Sequence, residues 1–239
     1  MSVPDLEVTD EPADVWHVGR SPDPWGWAPW KYAGDAGRFN GRWDDELGEF
    51  RTIYTADSLL GCFLELLAHF RPSTPVLAAL DEIEDDDGTI AAFGEAGVGV
   101  VGYSWLDGRE YGSASQTGRY CFITHSRTVA ALQRHYPFGR HGIAAIDVDA
   151  ALLKDAHDRV LTRSIARWVY DLRDDDRREV VDGIEFRSRH GDDIHVWAIF
   201  ERSRDDSRSH HLNTTSEPEP VTDALPELVE AMRRFGLSW

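Results

Sequence analysis

The stretch from Phe50 to Pro72 limits the possible folds most, because a strand pattern and a helix pattern follow each other within it. Residues 50–56 are rich in β-branched and aromatic side chains, which predicts a strand. Asp57 or Ser58 can cap the helix that follows, and Pro72 cannot continue it. The clearest local prediction is therefore a strand–turn–helix unit.

The helix predicted after Ser58 has two different faces at 3.6-residue spacing. One face is apolar and consists of Leu59, Leu60, Phe63, Leu66, Leu67 and Phe70. Another face carries Glu65 and His69 with small neighbours, which are Gly61, Cys62 and Ala68. A ligand or a strand can therefore approach the Glu65 carboxylate closely.

Strand and helix patterns are interspersed along the rest of the chain. We predict strands at 119–124, 142–148, 183–188 and 194–200, and helices at 126–136, 159–172 and 223–235. The sequence has no internal repeat and no strict β–α–β rhythm, and the glycine run at 94–102 does not match a dinucleotide-binding fingerprint. These patterns predict an α+β fold with a mixed, largely antiparallel sheet and flanking helices.

The chain of 239 residues fits one main domain with two flanking segments. Residues 1–15 carry five acidic side chains and no basic one, so we expect a flexible acidic N-terminus. Residues 16–43 are dense in Trp, Pro and Gly, which favours a loop region held by aromatic side chains. We expect the main domain to span 16–201, followed at 202–239 by a polar tail with a short terminal helix.

The charge of the chain excludes some classes of partner. With 43 acidic against 25 basic residues, the formal net charge is −18, which disfavours broad nucleic-acid binding and anionic membranes. The acid is regional, however, because 16–43 and 183–190 are each net positive. A small dianion could bind there, and arginine is the cation expected, since only Lys31 and Lys154 are lysines.

The cysteines and the hydropathy pattern indicate a cellular setting. Cys62 and Cys121 each lie in an apolar run, as expected of buried thiols in a reducing compartment. No segment approaches the roughly 20 apolar residues of a membrane span, and the first residues do not resemble a leader. We expect a cytoplasmic protein, and no metal site, since His210 and His211 have no partner at ligand spacing.

Four blocks together resemble the RES-domain family over roughly residues 15–201. They read WHVGRSPDPWGWAPW, GRFNGRWDDELGEFRTIYTADSLLGCFLELLAHFRP, LTRSIARWVYD and DGIEFRSRHGDDIHVWAIFE, in that order. The family consists of NAD-consuming bacterial toxins related in structure to ADP-ribosyltransferases. The resemblance implies an ADP-ribosyltransferase-like sheet and NAD as the substrate.

The resemblance also implies site residues. Tyr54 and Glu65 match the family's tyrosine and catalytic glutamate, in the block IYTADSLLGCFLE. His17 stands where the family has arginine, and Arg20 is the alternative source of that cation. Ser188 matches the family's serine, with a hydroxyl near 162–164 as the alternative.

These residue types suit cleavage of the bond between nicotinamide and ribose. Positive charge develops on the sugar C1′, which a carboxylate such as Glu65 stabilises, and an aromatic ring such as Tyr54 can stack on nicotinamide. Arginine grips a pyrophosphate through two parallel hydrogen bonds, so Arg20, Arg38 and Arg42 are candidates. Arg38 and Arg42 could instead hold the acidic loop that follows them.

The resemblance therefore implies an NAD glycohydrolase or phosphorylase that acts as the toxin of a toxin–antitoxin pair. Its implied partner is a small antitoxin with a helix-turn-helix DNA-binding domain. The alternatives are a protein ADP-ribosyltransferase and a non-catalytic module that binds NAD or ADP-ribose. The sequence does not indicate whether water, phosphate or a protein side chain accepts the ADP-ribosyl group. It also leaves open whether the chain forms a homo-oligomer.

Overall fold

The computed structural model describes residues 3–34, 37–71, 99–155 and 159–239. Its strands are β1 (Val8–Thr9), β2 (Ala13–Arg20), β3 (Thr52–Ala56), β4 (Arg109–Gln116), β5 (Tyr120–Phe122), β6 (Gly183–Ser188), β7 (Gly191–Phe200), β8 (Leu212–Thr214) and β9 (Glu219–Pro220). Its α-helices are α1 (Leu59–Leu67), α2 (Ser126–His135), α3 (Ala150–Lys154), α4 (Arg159–Tyr170) and α5 (Pro226–Phe235).

The strands form one sheet in the order β1-β5-β6-β7-β3-β2-β4-β8, with β9 also paired to β4. Only the β5–β6 pair is parallel among the described strands. The predicted α+β fold with a mixed, largely antiparallel sheet is confirmed.

The sheet nearly separates into two halves between β2 and β3. These strands pair only at Trp16 and Ala56. By contrast, β2 pairs with β4 along all eight of its residues, and β3 pairs with β7 along all five. Beyond the single contact the two strands diverge, which opens a cleft within the sheet.

Each face of the sheet has its own apolar cluster. The larger one packs the helices on the sheet and includes Phe63 of α1, Ile165 of α4 and Met232 of α5. The smaller one covers the opposite face with Trp25 and Trp27, which are 1% and 5% exposed. The Trp-rich loop therefore packs on the sheet, as its aromatic content predicts.

Helix α1 begins where the sequence predicts. Ser58 caps it by accepting a 3.1 Å hydrogen bond from the backbone N–H of Gly61. A Cβ at Gly61 would lie 2.8 Å from Cγ2 of Ile194 on β7, so the glycine lets the helix lie close to the sheet. The α-helix ends at Leu67 and continues as a short 3-10 turn over Ala68–Phe70.

Several local predictions need correction. The strand predicted at 142–148 is wrong, because this run contains only a 3-10 turn at Ala145–Asp147 and exposes Ile146 to 89%. Within the described part of the chain, this run pairs with no strand. The loop predicted from residue 16 begins instead as part of β2, whose pairing with β4 overrides the local composition.

The flanking segments also contribute strands. Val8–Thr9 pairs with β5, and β8 and β9 both pair with β4. The domain boundaries at 15 and 201 stay predictions. Most of the glycine run at 94–102 and the acidic run at 81–87 lie outside the described residues. None of the described helices has both the length and the apolar character needed to cross a membrane.

Candidate active site

A cavity of about 1200 Å³ occupies the cleft between β2 and β3 and extends beside α1. Five basic side chains line it: Arg20, Lys31, Arg42, Arg159 and Arg189. The acidic side chains that line it are Asp23 and Glu65. An acidic protein therefore contains a locally cationic cavity, as the charge distribution along the sequence indicates.

Glu65 is held in this cavity by a serine at the end of β6. The hydroxyl of Ser188 donates a 2.5 Å hydrogen bond to Oε1 of Glu65, and it accepts one of 2.9 Å from the backbone N–H of His190. Ser188 is 1% exposed and lies where the β6–β7 register shifts. Its hydroxyl therefore positions the carboxylate.

The two alternative hydroxyls lie elsewhere. Thr162 and Ser164 are buried on α4, whereas Ser188 is the residue whose hydroxyl bonds to Glu65. The geometry therefore associates Ser188, rather than these two residues, with Glu65.

Tyr54 lines the cavity, and its hydroxyl is bound to the loop before β3. The hydroxyl donates to Oδ1 of Asp44 at 3.0 Å and accepts from the backbone N–H of Trp43 at 2.9 Å. Burial raises the pKa of Tyr54 well above its usual value, and the charge of Asp44 adds to the rise. The hydroxyl is therefore a structural group and a poor proton donor to a substrate.

The same loop depends on Gly41. Its backbone N–H donates to Oδ2 of Asp44, and a Cβ there would lie 2.4 Å from the Tyr54 hydroxyl oxygen. Burial raises the pKa of Asp44, although the bonds from Gly41 and Tyr54 oppose that rise. Only glycine lets the loop pass so close to the tyrosine.

Arg42 is the buried cation of the site. It is 6% exposed, and its guanidinium carbon lies 5.4 Å from the ring centre of Phe186. Burial lowers the pKa of Arg42, while the charge of Glu65 opposes that shift. Its Nη1 is buried and has no hydrogen-bond partner among the described residues. A buried donor without a partner calls for an explanation, and a bound ligand would supply one.

Helix α4 holds the loop that carries Arg42. Arg163 donates to Oδ1 of Asn40 at 2.6 Å and to the carbonyl of Gly41 at 3.3 Å. Arg167 donates to Oε2 of Glu49 at 2.5 Å and also lies 3.5 Å from Asp45. These arginines of α4 perform the loop-holding role that the sequence also allowed for Arg38 and Arg42.

The predicted arginines differ in their placement. Arg38 does not line the cavity, and its Nη1 lies 3.5 Å from the carbonyl of Glu46. Arg20 is exposed at the rim of the cavity and donates to the carbonyl of Asp107 at 2.5 Å. Sequence reasoning named Arg42 among the candidates but could not rank it above Arg38. The adjoining Trp43 and Asp44 are buried as well.

His17 bridges the cleft where β2 and β3 separate. Its Nδ1 lies 2.7 Å from the carbonyl oxygen of Tyr54, and because a carbonyl only accepts, Nδ1 carries the hydrogen. Burial lowers the pKa of His17, and the carbonyls of Tyr54 and Pro24 oppose that shift. His17 therefore ties the two halves of the sheet together beside the tyrosine.

One of the two cysteines lies at the cavity. Cys62 lines it, but burial raises the pKa of its thiol to about 12, and the thiol donates to the carbonyl of Trp16 at 3.2 Å. Both cysteines are free and buried, as predicted. No group of three or more His, Cys, Asp or Glu side chains suited to a metal ion occurs within the described ranges.

The comparisons with known proteins agree with this geometry. The model of the RES domain matches residues 14–222. The fold is similar to a chain in the crystal structure of the M. tuberculosis MbcT-MbcA toxin-antitoxin complex, with a TM-score of 0.50 and 13% identity over 95% of this chain and 92% of that one. No curated protein sequence is a significant match. Because the domain match covers most of its length, the chain belongs to the RES-domain family.

Proposed function

We propose that this protein cleaves the bond between nicotinamide and ribose in NAD, with Glu65 as the catalytic carboxylate. The observation that carries the proposal is the 2.5 Å hydrogen bond from Ser188, which fixes Glu65 inside a cationic cavity large enough for a dinucleotide. A carboxylate held among arginines suits a substrate that has a positive reacting centre and negative phosphates.

The proposed step involves the substrate, the acceptor and the Glu65 carboxylate. The bond from C1′ to the pyridinium nitrogen breaks, its electron pair goes to nicotinamide, and nicotinamide leaves neutral. The Glu65 carboxylate stabilises the positive charge that develops on C1′. With water as acceptor, its oxygen bonds to C1′ and releases a proton, which gives ADP-ribose.

Tyr54 contributes its ring in this proposal. The ring lines the cavity, and the hydroxyl is already bound by Asp44 and Trp43, so stacking on nicotinamide is the role left to it. His17 holds the Tyr54 backbone through its 2.7 Å hydrogen bond and so sets where that ring lies.

Arg42 supplies a buried positive charge and a free N–H donor. It interacts electrostatically with Glu65, whose charge opposes the effect of burial on the pKa of Arg42. Its unpartnered Nη1 can donate to an oxygen of the bound substrate. Arg38 takes no part in the proposed reaction.

The RES domain and the likeness to a chain of a toxin–antitoxin complex support a toxin role for this protein. The proposed partner is a small antitoxin with a helix-turn-helix DNA-binding domain. Free, buried thiols fit a cytoplasmic location, where NAD is abundant. Expression of the full chain alone should stop growth, and the Glu65→Gln variant should not.

The reaction is tested by following nicotinamide and sugar products from NAD with and without phosphate. Hydrolysis yields ADP-ribose in both conditions, phosphorolysis needs phosphate, and transfer labels protein. NAD that binds without any nicotinamide release would contradict the proposal and indicate a non-catalytic binding module.

A further inference from the structure

One rim of the cavity carries a cationic cluster that the proposed cleavage step does not use. Arg20 of β2 and Arg109 of β4 lie directly opposite each other in the strand register. Opposed residues of an antiparallel pair project from the same face of the sheet. Two guanidinium groups are therefore neighbours at the end of β2, where Arg20 lines the cavity.

His69 joins this pair from the turn after α1. It lines the cavity and lies close enough to Arg109 for that charge to lower its pKa, although burial is the larger cause. Arg20 acts on Arg109 in the same way, since burial first and the Arg20 charge second lower the pKa of Arg109 to about 10. The three side chains thus form one electrostatic cluster, contributed by β2, β4 and the end of α1.

The ion pairs of the described residues do not include this cluster. Within the described part of the chain, none of the three side chains forms an ion pair. Like charges placed opposite each other on two strands destabilise a sheet. In a chain with 43 acidic residues, a missing counter-ion at such a pair indicates that a bound anion completes it.

Both arginines are held in place by backbone oxygens. Arg20 donates to the carbonyl of Asp107 at 2.5 Å, and Arg109 donates to the carbonyl of Trp105. The guanidinium carbon of Arg109 also lies 4.0 Å from the ring centre of Trp105. Each guanidinium has five N–H donors, so further donors remain for a ligand in a fixed geometry that suits phosphate oxygens.

We propose that Arg20, Arg109 and His69 form a phosphate-binding subsite at the rim of the cavity, which binds a phosphate group of the nucleotide substrate. This inference rests on the proposed function only in taking the cavity to bind a nucleotide. The phosphate has two sources, the diphosphate bridge of NAD and a phosphate on the 2′-hydroxyl of the adenosine ribose, as in NADP.

Calorimetric titration of the full-length protein with ADP, adenosine 2′-monophosphate and adenosine tests this subsite without requiring catalysis. We expect a phosphorylated probe to bind at least about tenfold more tightly than adenosine, as charge-assisted hydrogen bonds to phosphate predict. Arg109→Gln and Arg20→Gln should each remove most of that difference. Loss for ADP identifies the diphosphate bridge, and loss for the 2′-monophosphate identifies the 2′-phosphate.

Two further variants keep this test interpretable. Arg134→Gln removes an exposed arginine of α2 outside the cavity and should bind all three probes as the wild type does. Arg109→Lys keeps a positive charge and should retain part of the difference, while an unchanged melting temperature shows that the fold is intact. The subsite is refuted if the wild type binds phosphorylated probes no better than adenosine, or if both glutamine variants match the wild type. Nicotinamide release, measured separately, reports on the cleavage reaction instead.

Discussion

Ser188, at the end of β6, donates a 2.5 Å hydrogen bond to Glu65 on α1 and thereby joins the sheet to the helix that carries the cavity's carboxylate. The two residues are 123 positions apart in the chain. Their contact fixes a carboxylate on a helix by a hydroxyl on a strand, and both elements are rigid parts of the core.

Removing this bond should lower turnover more than substrate binding. In Ser188→Ala the Glu65 carboxylate loses its donor, and misplacement of a catalytic group by about 1 Å can cost about 100-fold in rate. We expect kcat for NAD cleavage to fall by about 10- to 100-fold with little change in KM. Ser164→Ala, a buried serine of α4 outside the cavity, is the matched control. A larger loss in Ser164→Ala would identify Ser164 as the functional serine instead.

Tyr54 should tolerate loss of its hydroxyl better than loss of its ring. Tyr54→Phe removes the hydroxyl that donates to Oδ1 of buried Asp44, which should cost about 1–3 kcal/mol of unfolding free energy. Its kcat should stay within a few-fold of the wild type, whereas Tyr54→Ala should lose most activity. Denaturant unfolding and nicotinamide release measure the two effects separately. An inactive Tyr54→Phe that retains wild-type stability would show that the hydroxyl takes part in the reaction.

Arg42 should be required for activity and dispensable for stability. Its buried Nη1 lacks a partner, so replacing it by an apolar side chain of similar length removes an uncompensated desolvation cost. We expect Arg42→Met to lose at least about tenfold in kcat/KM, because a charge-assisted hydrogen bond contributes about 1.5–3 kcal/mol. Its melting temperature should not fall below that of the wild type. Arg38→Met, which changes an arginine outside the cavity, should retain activity; the opposite ranking would mean that Arg38 binds the substrate.

His17 should make the folded state less stable at acidic pH. Burial lowers its pKa in the folded state below the ordinary value of 6.5, so the unfolded chain binds the proton more tightly. The contribution of the neutral histidine is therefore complete above about pH 6.5 and is lost as the pH falls. His69 and His190 have pKa values lowered in the same direction and add to the trend. The free energy of unfolding, measured in urea at several pH values, should fall less at acidic pH for His17→Gln than for the wild type. An equal dependence on pH in both proteins would argue against a buried neutral His17.

The strand–helix unit around Glu65 could be predicted because its determinants are local. The cap at Ser58, the small residues beside Glu65 and the β-branched and aromatic run that contains Tyr54 all lie close together in the sequence. Short-range patterns of this kind determine both the element and the face that a side chain occupies. Helix α4 and the β6–β7 pair followed from periodicity in the same way.

The burial of Arg42 could not be predicted from local patterns. Its loop is held by Arg163 and Arg167, which lie about 120 residues further along the chain, and no local pattern reports such contacts. The cleft itself depends on β2 pairing with β3 at one position only, which is a property of strand register. The wrong prediction of a strand at 142–148 has a related cause. A short apolar run forms a strand only where a neighbouring strand can pair with it.

Release of free nicotinamide by the purified full-length protein shows whether the Glu65 carboxylate takes part in the cleavage of NAD. The wild type should release nicotinamide, and Glu65→Gln, which keeps the shape of the side chain, should be slower by at least about 100-fold, as expected when an electrostatic group of the transition state is lost. Glu217→Gln, at an exposed carboxylate outside the cavity, should match the wild type. Equal rates for a folded Glu65→Gln variant and the wild type, or no release by either, would contradict the account.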